Sequence, residues 1–153
     1  MQRRIGGWIL AAAIFGTVPT VSHALQLSAA PSYKSGGVAT IGEFLCSVQG
    51  SGSGTDQIEI LFETHMPPTW FAQYCQQSTG ICYFDNQVVT VNANQSEILR
   101  VDLGAYDNVP AMGWVRLEAR RVADPTDRAV LHLTYYAGMA APAAGLTLDC
   151  SDN

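Results

Sequence analysis

Lysine is almost missing from this sequence. Lys34 is the only one in 153 residues, and eight basic residues face thirteen acidic ones, for a formal charge of −5. A surface this acidic repels phosphate backbones and anionic headgroups, which argues against nucleic acid and anionic lipid as partners. Beyond the first two dozen residues no apolar run reaches the roughly 18 to 20 residues that span a bilayer. No stretch there carries a helical period. Histidine is scarce, with only His23, His65 and His132. Cys-x-x-Cys is absent, which removes a common zinc-ligand spacing. Gly-x-Ser-x-Gly is absent too, which removes the hydrolase elbow. Gly50-Ser51-Gly52-Ser53-Gly54 has no lysine after it and opens no helical pattern. It reads as a flexible loop, not as a phosphate cradle.

What is present begins with an export pattern. Arg3 and Arg4 precede an apolar run from Ile5 to Val18, and Ser22-His23-Ala24 follows. A positive start, an apolar middle and small residues at the −3 and −1 positions describe a secretory signal peptide over residues 1–24. An uncleaved Ile5–Val18 anchor is the alternative, but the run is short and Pro19 ends it. Leu25 is then the first mature residue, and one domain over residues 25–153 is expected. Loss of Arg3 and Arg4 leaves six bases against thirteen acids, a net charge of −7. No cysteine stands directly after the expected cleavage point, so the residue acylated in bacterial lipoproteins is missing. A periplasmic or secreted protein is expected, without a membrane span once the signal is removed.

Strict alternation of apolar and polar residues recurs along the mature chain. Phe44, Cys46 and Val48 share one phase, as do Ile58, Ile60 and Phe62. The same holds for Leu99, Val101 and Leu103, for Val115, Leu117 and Ala119, for Leu131, Leu133 and Tyr135, and for Leu146, Leu148 and Cys150. Period two over five to seven residues is the signal of a half-buried strand. Gln87–Ala93, rich in valine and threonine, adds another. Asp124-Pro125-Thr126-Asp127 suits a tight turn between two strands. Seven to nine short strands separated by such turns predict an all-β, two-sheet antiparallel sandwich of immunoglobulin-like type.

All four cysteines lie in the mature chain, and an oxidising compartment turns an even count into two disulfides. Cys75 and Cys82 flank a short polar segment with a glycine, so a local bridge is easy. Cys46 and Cys150 then pair by elimination. Both also fall on the apolar phases of their strands, where they can meet in a core.

Few residues could carry chemistry. His65, Met66 and His132, with Met112 and Met139 as further donors, make a small copper-binding carrier the first alternative reading. An enzyme of unknown class is the second, with His65 or His132 as the base, although nothing places a serine beside either. Trp70, Phe71, Tyr74, Tyr83 and Phe84 cluster around Cys75 and Cys82. They are the candidate binding surface, because aromatic anchors dominate interfaces. Their competing role is to pack over the bridge and cap the sandwich. Trp114 falls on the polar phase of its strand, with Arg116 and Glu118.

The order Pro67-Pro68-Thr69-Trp70, Cys75, Cys82-Tyr83, then Asn94-Gln95-Ser96-Glu97-Ile98-Leu99-Arg100-Val101, Gly113-Trp114-Val115-Arg116-Leu117 and Asp124-Pro125 resembles immunoglobulin-like accessory modules of bacterial exported proteins. The likeness runs from about Leu25 to Tyr136. It implies a sandwich with an accessory, non-catalytic role and no cofactor. The expected function is an exported binding or structural module, and its expected partner is an envelope or extracellular protein.

Overall fold

The computed structural model describes residues 24–50, 54–92 and 95–142. The expected strand around Leu146–Cys150 lies outside them. Ten strands are formed: β1 (Gln26–Ala29), β2 (Tyr33–Gly36), β3 (Ile41–Gln49), β4 (Asp56–His65), β5 (Trp70–Gln76), β6 (Ile81–Tyr83), β7 (Gln87–Val91), β8 (Ser96–Ala105), β9 (Ala111–Arg121) and β10 (Arg128–Ala137). No helix occurs among the described residues. The first sheet runs β1-β3-β8-β5-β6 and the second β2-β10-β9-β4-β7.

The alternating residues meet between the sheets. Phe44, Cys46 and Val48 of β3 face Ile58 and Ile60 of β4, Val115 and Leu117 of β9, and Leu133 of β10 within one apolar cluster. Leu99, Val101 and Leu103 of β8 are fully buried in the same cluster. Burying each such side chain stabilises the fold by about 1.5–3 kcal/mol relative to leaving it in water. Because a strand turns successive side chains to opposite faces, the same registers place the polar partners outside.

Three features differ from the sequence expectation. Ten strands are present among the described residues rather than seven to nine. The additional ones include β1, β2 and β6, which hold three or four residues each and are too short to show a period. The pairing is not wholly antiparallel, since β2 runs parallel to β10, with Tyr135 opposite Lys34. A chain that leaves the first sheet after β1 and joins the second at β2 gives this arrangement. Finally, β5 is a full strand of seven residues. Its phase is carried by Trp70, Ala72 and Tyr74 inside, with Phe71 and Gln73 outside. Aromatic residues in both phases hid that alternation.

The turn between β9 and β10 follows its chemistry. The amide of Asp127 donates to the carbonyl of Asp124 at 3.0 Å. Asp124 Oδ1 accepts from the amide and hydroxyl of Thr126 at 3.1 and 2.6 Å. An aspartate at the first position of a turn satisfies backbone donors in this way.

Candidate binding surface

The outward face of the first sheet is built in rows by its strand registers. Ile41, Gly104 and Phe71 stand opposite one another across β3, β8 and β5. Glu43, Asp102 and Gln73 form the next row. Leu45, Arg100, Cys75 and Cys82 form the third, extending onto β6.

The first row is apolar, with Ile41 exposed and Phe71 half-buried. Phe71 lies flat across Gly104, filling the space that a Cβ there would take. Tyr106, just past β8, stacks on Phe71 with ring centroids 5.0 Å apart and 21° between planes. Tyr106 is 70 % exposed, and Ile41 and Leu45 are each 56 % exposed. The β3 sequence Ile-Gly-Glu-Phe-Leu-Cys-Ser-Val thus carries apolar residues in both phases, the inner one for the core and the outer one exposed.

The second row is polar and internally satisfied. Asp102 is 6 % exposed. It accepts from Gln73 Nε2 at 3.0 Å and pairs with Arg100 Nη2 at 3.3 Å. A carboxylate this buried is tolerable only with such partners.

The third row carries the disulfide. Cys75 and Cys82 are directly opposed in the β5–β6 ladder and are bridged. Arg100 Nη2 lies 3.5 Å from Cys75 Sγ. A shallow groove of about 380 Å³ runs beside the bridge, between Leu45, Glu43 and Arg100 on one side and Gln77 and Gly80 on the other. The bridge pins the three-residue edge strand β6 to β5 and stiffens this side of the face.

The five aromatics expected to form one surface are divided by the fold. Trp70 and Tyr74 point inward and are 7 % and 0 % exposed. They belong to the core, so they are corrected from contact residues to supports. Tyr74 packs against Phe62 at 5.1 Å and Tyr83 at 5.4 Å, and its hydroxyl donates to the Asp85 carbonyl at 3.1 Å. Burial, aided by Asp85 and Tyr83, pushes its phenol well above the ordinary tyrosine range. Tyr83 is half-buried on the same inner side, and Phe84 is exposed in the loop beyond β6. Phe71 alone of the five stands on the outer sheet face. Sequence reasoning missed Ile41, Leu45, Tyr106 and Gly104. The usable signal was the presence of Ile41 and Leu45 in the polar phase of β3.

Cys46 is fully buried and bridged to no cysteine among the described residues, and burial pushes its thiol up to about 12. Its expected partner Cys150 lies outside the described residues, so the bridge formed among them is Cys75–Cys82.

The outward face of the second sheet gathers the remaining sequence candidates. Trp114 lies between the two histidines. The His65 ring stacks on it at 5.1 Å and 19°, and His132 approaches at 6.1 Å and 51°. Met66 is half-buried and packs against the core near Gly113 and Trp70. Arg116 pairs with Glu118 at 2.5 Å and Glu63 at 3.8 Å beside them. Among the described residues no three His, Cys, Asp or Glu side chains are grouped as a metal site.

No family model matches the chain, and no curated protein matches it. Solved structures do. The N-terminal domain of PorA superposes with a TM-score of 0.53 at 12 % identity, covering 71 % of this chain and 89 % of that one. A family 123 glycoside hydrolase from Clostridium perfringens gives 0.51 at 4 % identity, covering 75 % of this chain but 27 % of the enzyme's. At these identities the similarity establishes the two-sheet all-β architecture and nothing about activity.

Proposed function

We propose that the chain is an exported, non-catalytic binding module of immunoglobulin-like topology, and that it docks a protein of the envelope or exterior through the outward face of its first sheet. The observation that carries this reading is the group of outward apolar side chains, with Ile41, Leu45 and Tyr106 exposed and half-buried Phe71 stacked on Tyr106. The outward phase of a solvated sheet is normally polar. Here apolar and aromatic side chains surround a paired Arg100–Asp102 centre, and a disulfide stiffens one flank. Rigid aromatic anchors bind at low entropic cost and dominate interface energetics.

The topology supports the immunoglobulin-like assignment. The orders β1-β3-β8-β5 and β10-β9-β4 match the two sheets of that sandwich. The departure is β7, which follows the β5–β6 hairpin in sequence yet pairs with β4. The copper reading is less well supported, because Trp114 separates the two imidazoles and Met66 packs against the core.

Site-directed photo-crosslinking tests the proposal. A photoreactive residue at position 106 should yield a discrete adduct in the native envelope. The same probe at position 130, exposed on the opposite sheet, should not. Equal labelling from both positions, or none from position 106, contradicts it.

A further inference from the structure

Leu25 is anchored in an unusual way for a residue at the head of a strand. Its side chain is 5 % exposed and belongs to the core cluster, while Ala24 before it is exposed. Its backbone nitrogen donates to Asp127 Oδ1 at 3.0 Å across 102 residues of sequence. Leu25, which the signal pattern makes the first residue of the mature chain, is thus held by both its side chain and its backbone nitrogen.

Asp127 sits in a compact charged knot at one end of the sandwich. Arg121, the last residue of β9, pairs through Nη1 with Asp127 Oδ2 at 2.6 Å. Its Nε lies 3.4 Å from Oδ1 of Asp56, the first residue of β4. The three side chains are only 12 to 18 % exposed. They carry one guanidinium and two carboxylates. The nearby Asp124, exposed in the turn, adds a further negative charge. Arg128, adjacent in sequence, reaches instead to Glu118 Oε1 at 3.6 Å. Among the described residues Asp127 thus holds one cationic partner, Arg121, and one neutral donor, the Leu25 amide.

We propose that proteolytic processing at the Ala24–Leu25 bond gives Asp127 a second cationic partner. An endopeptidase that removes the leader hydrolyses this amide with one water. Ala24 leaves with a carboxylate, and Leu25 keeps an amine that is protonated at neutral pH. The nitrogen already faces Asp127, so a neutral amide donor becomes an ammonium without any change of position. The hydrogen bond to Asp127 becomes charge-assisted. Leader removal thereby locks β1 onto the β9–β10 turn. The sign follows from linkage. An amine that gains a carboxylate partner has its pKa raised, so its contribution is complete below about pH 7.7 and is lost as pH rises through the folded value.

The experiment starts from the full-length gene product exported by cells and sequenced at its N-terminus. Leu25 is expected, and any other first residue overturns the proposal. Chains beginning at Leu25 and at Ala24 are then compared by thermal melting, each with and without Asp127→Asn. The Leu25 chain should melt about 3–6 °C higher near pH 6.5, a gap that closes near pH 10. Asp127→Asn should abolish the gap. NMR titration of the Leu25 amine should give a pKa above the roughly 7.7–8.0 of a free terminus. Equal melting of the two chains, a gap that survives Asp127→Asn, or an unshifted amine each overturns the proposal.

Discussion

The Phe71 ring is stacked between Gly104 beneath it and Tyr106 beside it, with the Phe71 and Tyr106 centroids 5.0 Å apart on the outer face of the first sheet. Both rings lie outside the core, so their removal should separate stability from recognition. Tyr106→Ala is expected to change stability by no more than about 0.5 kcal/mol, as at other exposed sites. Tyr74→Ala, by contrast, should cost about 3–5 kcal/mol, because it empties a filled interior position. Urea unfolding of the two variants checks this. Equal losses would remove the distinction between the outer ring and the inner one.

Gly104→Ala tests the seat of Phe71. A methyl group there enters the space occupied by the ring, so Phe71 must shift or the strands must part. A destabilisation of about 1–3 kcal/mol is expected, as for overpacking elsewhere. In the Phe71→Ala background the same change should cost far less. An additive double mutant would contradict direct contact.

Non-reducing peptide mapping should return Cys75 joined to Cys82. In the chain-entropy model that loop contributes about 2.5 kcal/mol. Cys46 should resist alkylation in the native protein at pH 8, since its position is fully buried. The bridge to Cys150 proposed from the sequence would appear in the same map. Cys46 joined to Cys75 or Cys82 would contradict the strand phases themselves.

The alkaline limb of stability should report Tyr74. Its phenol is held neutral by burial, so the folded pKa lies above the unfolded value of about 10. The unfolded chain then releases its proton first, and stability falls as pH rises above about 10. Tyr74→Phe cannot ionise and should flatten that part of the melting profile, at the expense of the hydrogen bond to Asp85. An unchanged alkaline slope in Tyr74→Phe would show that other groups control it.

Much of the fold was legible because one face of most strands is fully buried. Phe44-Cys46-Val48, Leu99-Val101-Leu103 and Val115-Leu117-Ala119 announce both strand and phase. β1 and β2 are too short to show a period, and their pairing partners lie far along the chain. β5 was hidden because Phe71 and Tyr74 are both aromatic and differ only in phase. The same ambiguity spoiled the candidate surface. Grouping aromatics by proximity in sequence joined Trp70 and Tyr74 to Phe71, whereas a strand sends them to opposite sides. Tyr106 joins Phe71 only through the β5–β8 register, which no local pattern contains.

The most direct test of the binding surface is the affinity of the protein crosslinked from position 106, measured against three forms of the chain. Wild type and Val130→Ala, altered on the opposite sheet, should bind alike. Tyr106→Ala should bind at least about 30-fold more weakly, the loss of roughly 2 kcal/mol typical of an aromatic anchor, while its unfolding midpoint stays at the wild-type value. Undiminished binding by Tyr106→Ala, or a loss shared equally by Val130→Ala, would contradict a docking face on the first sheet.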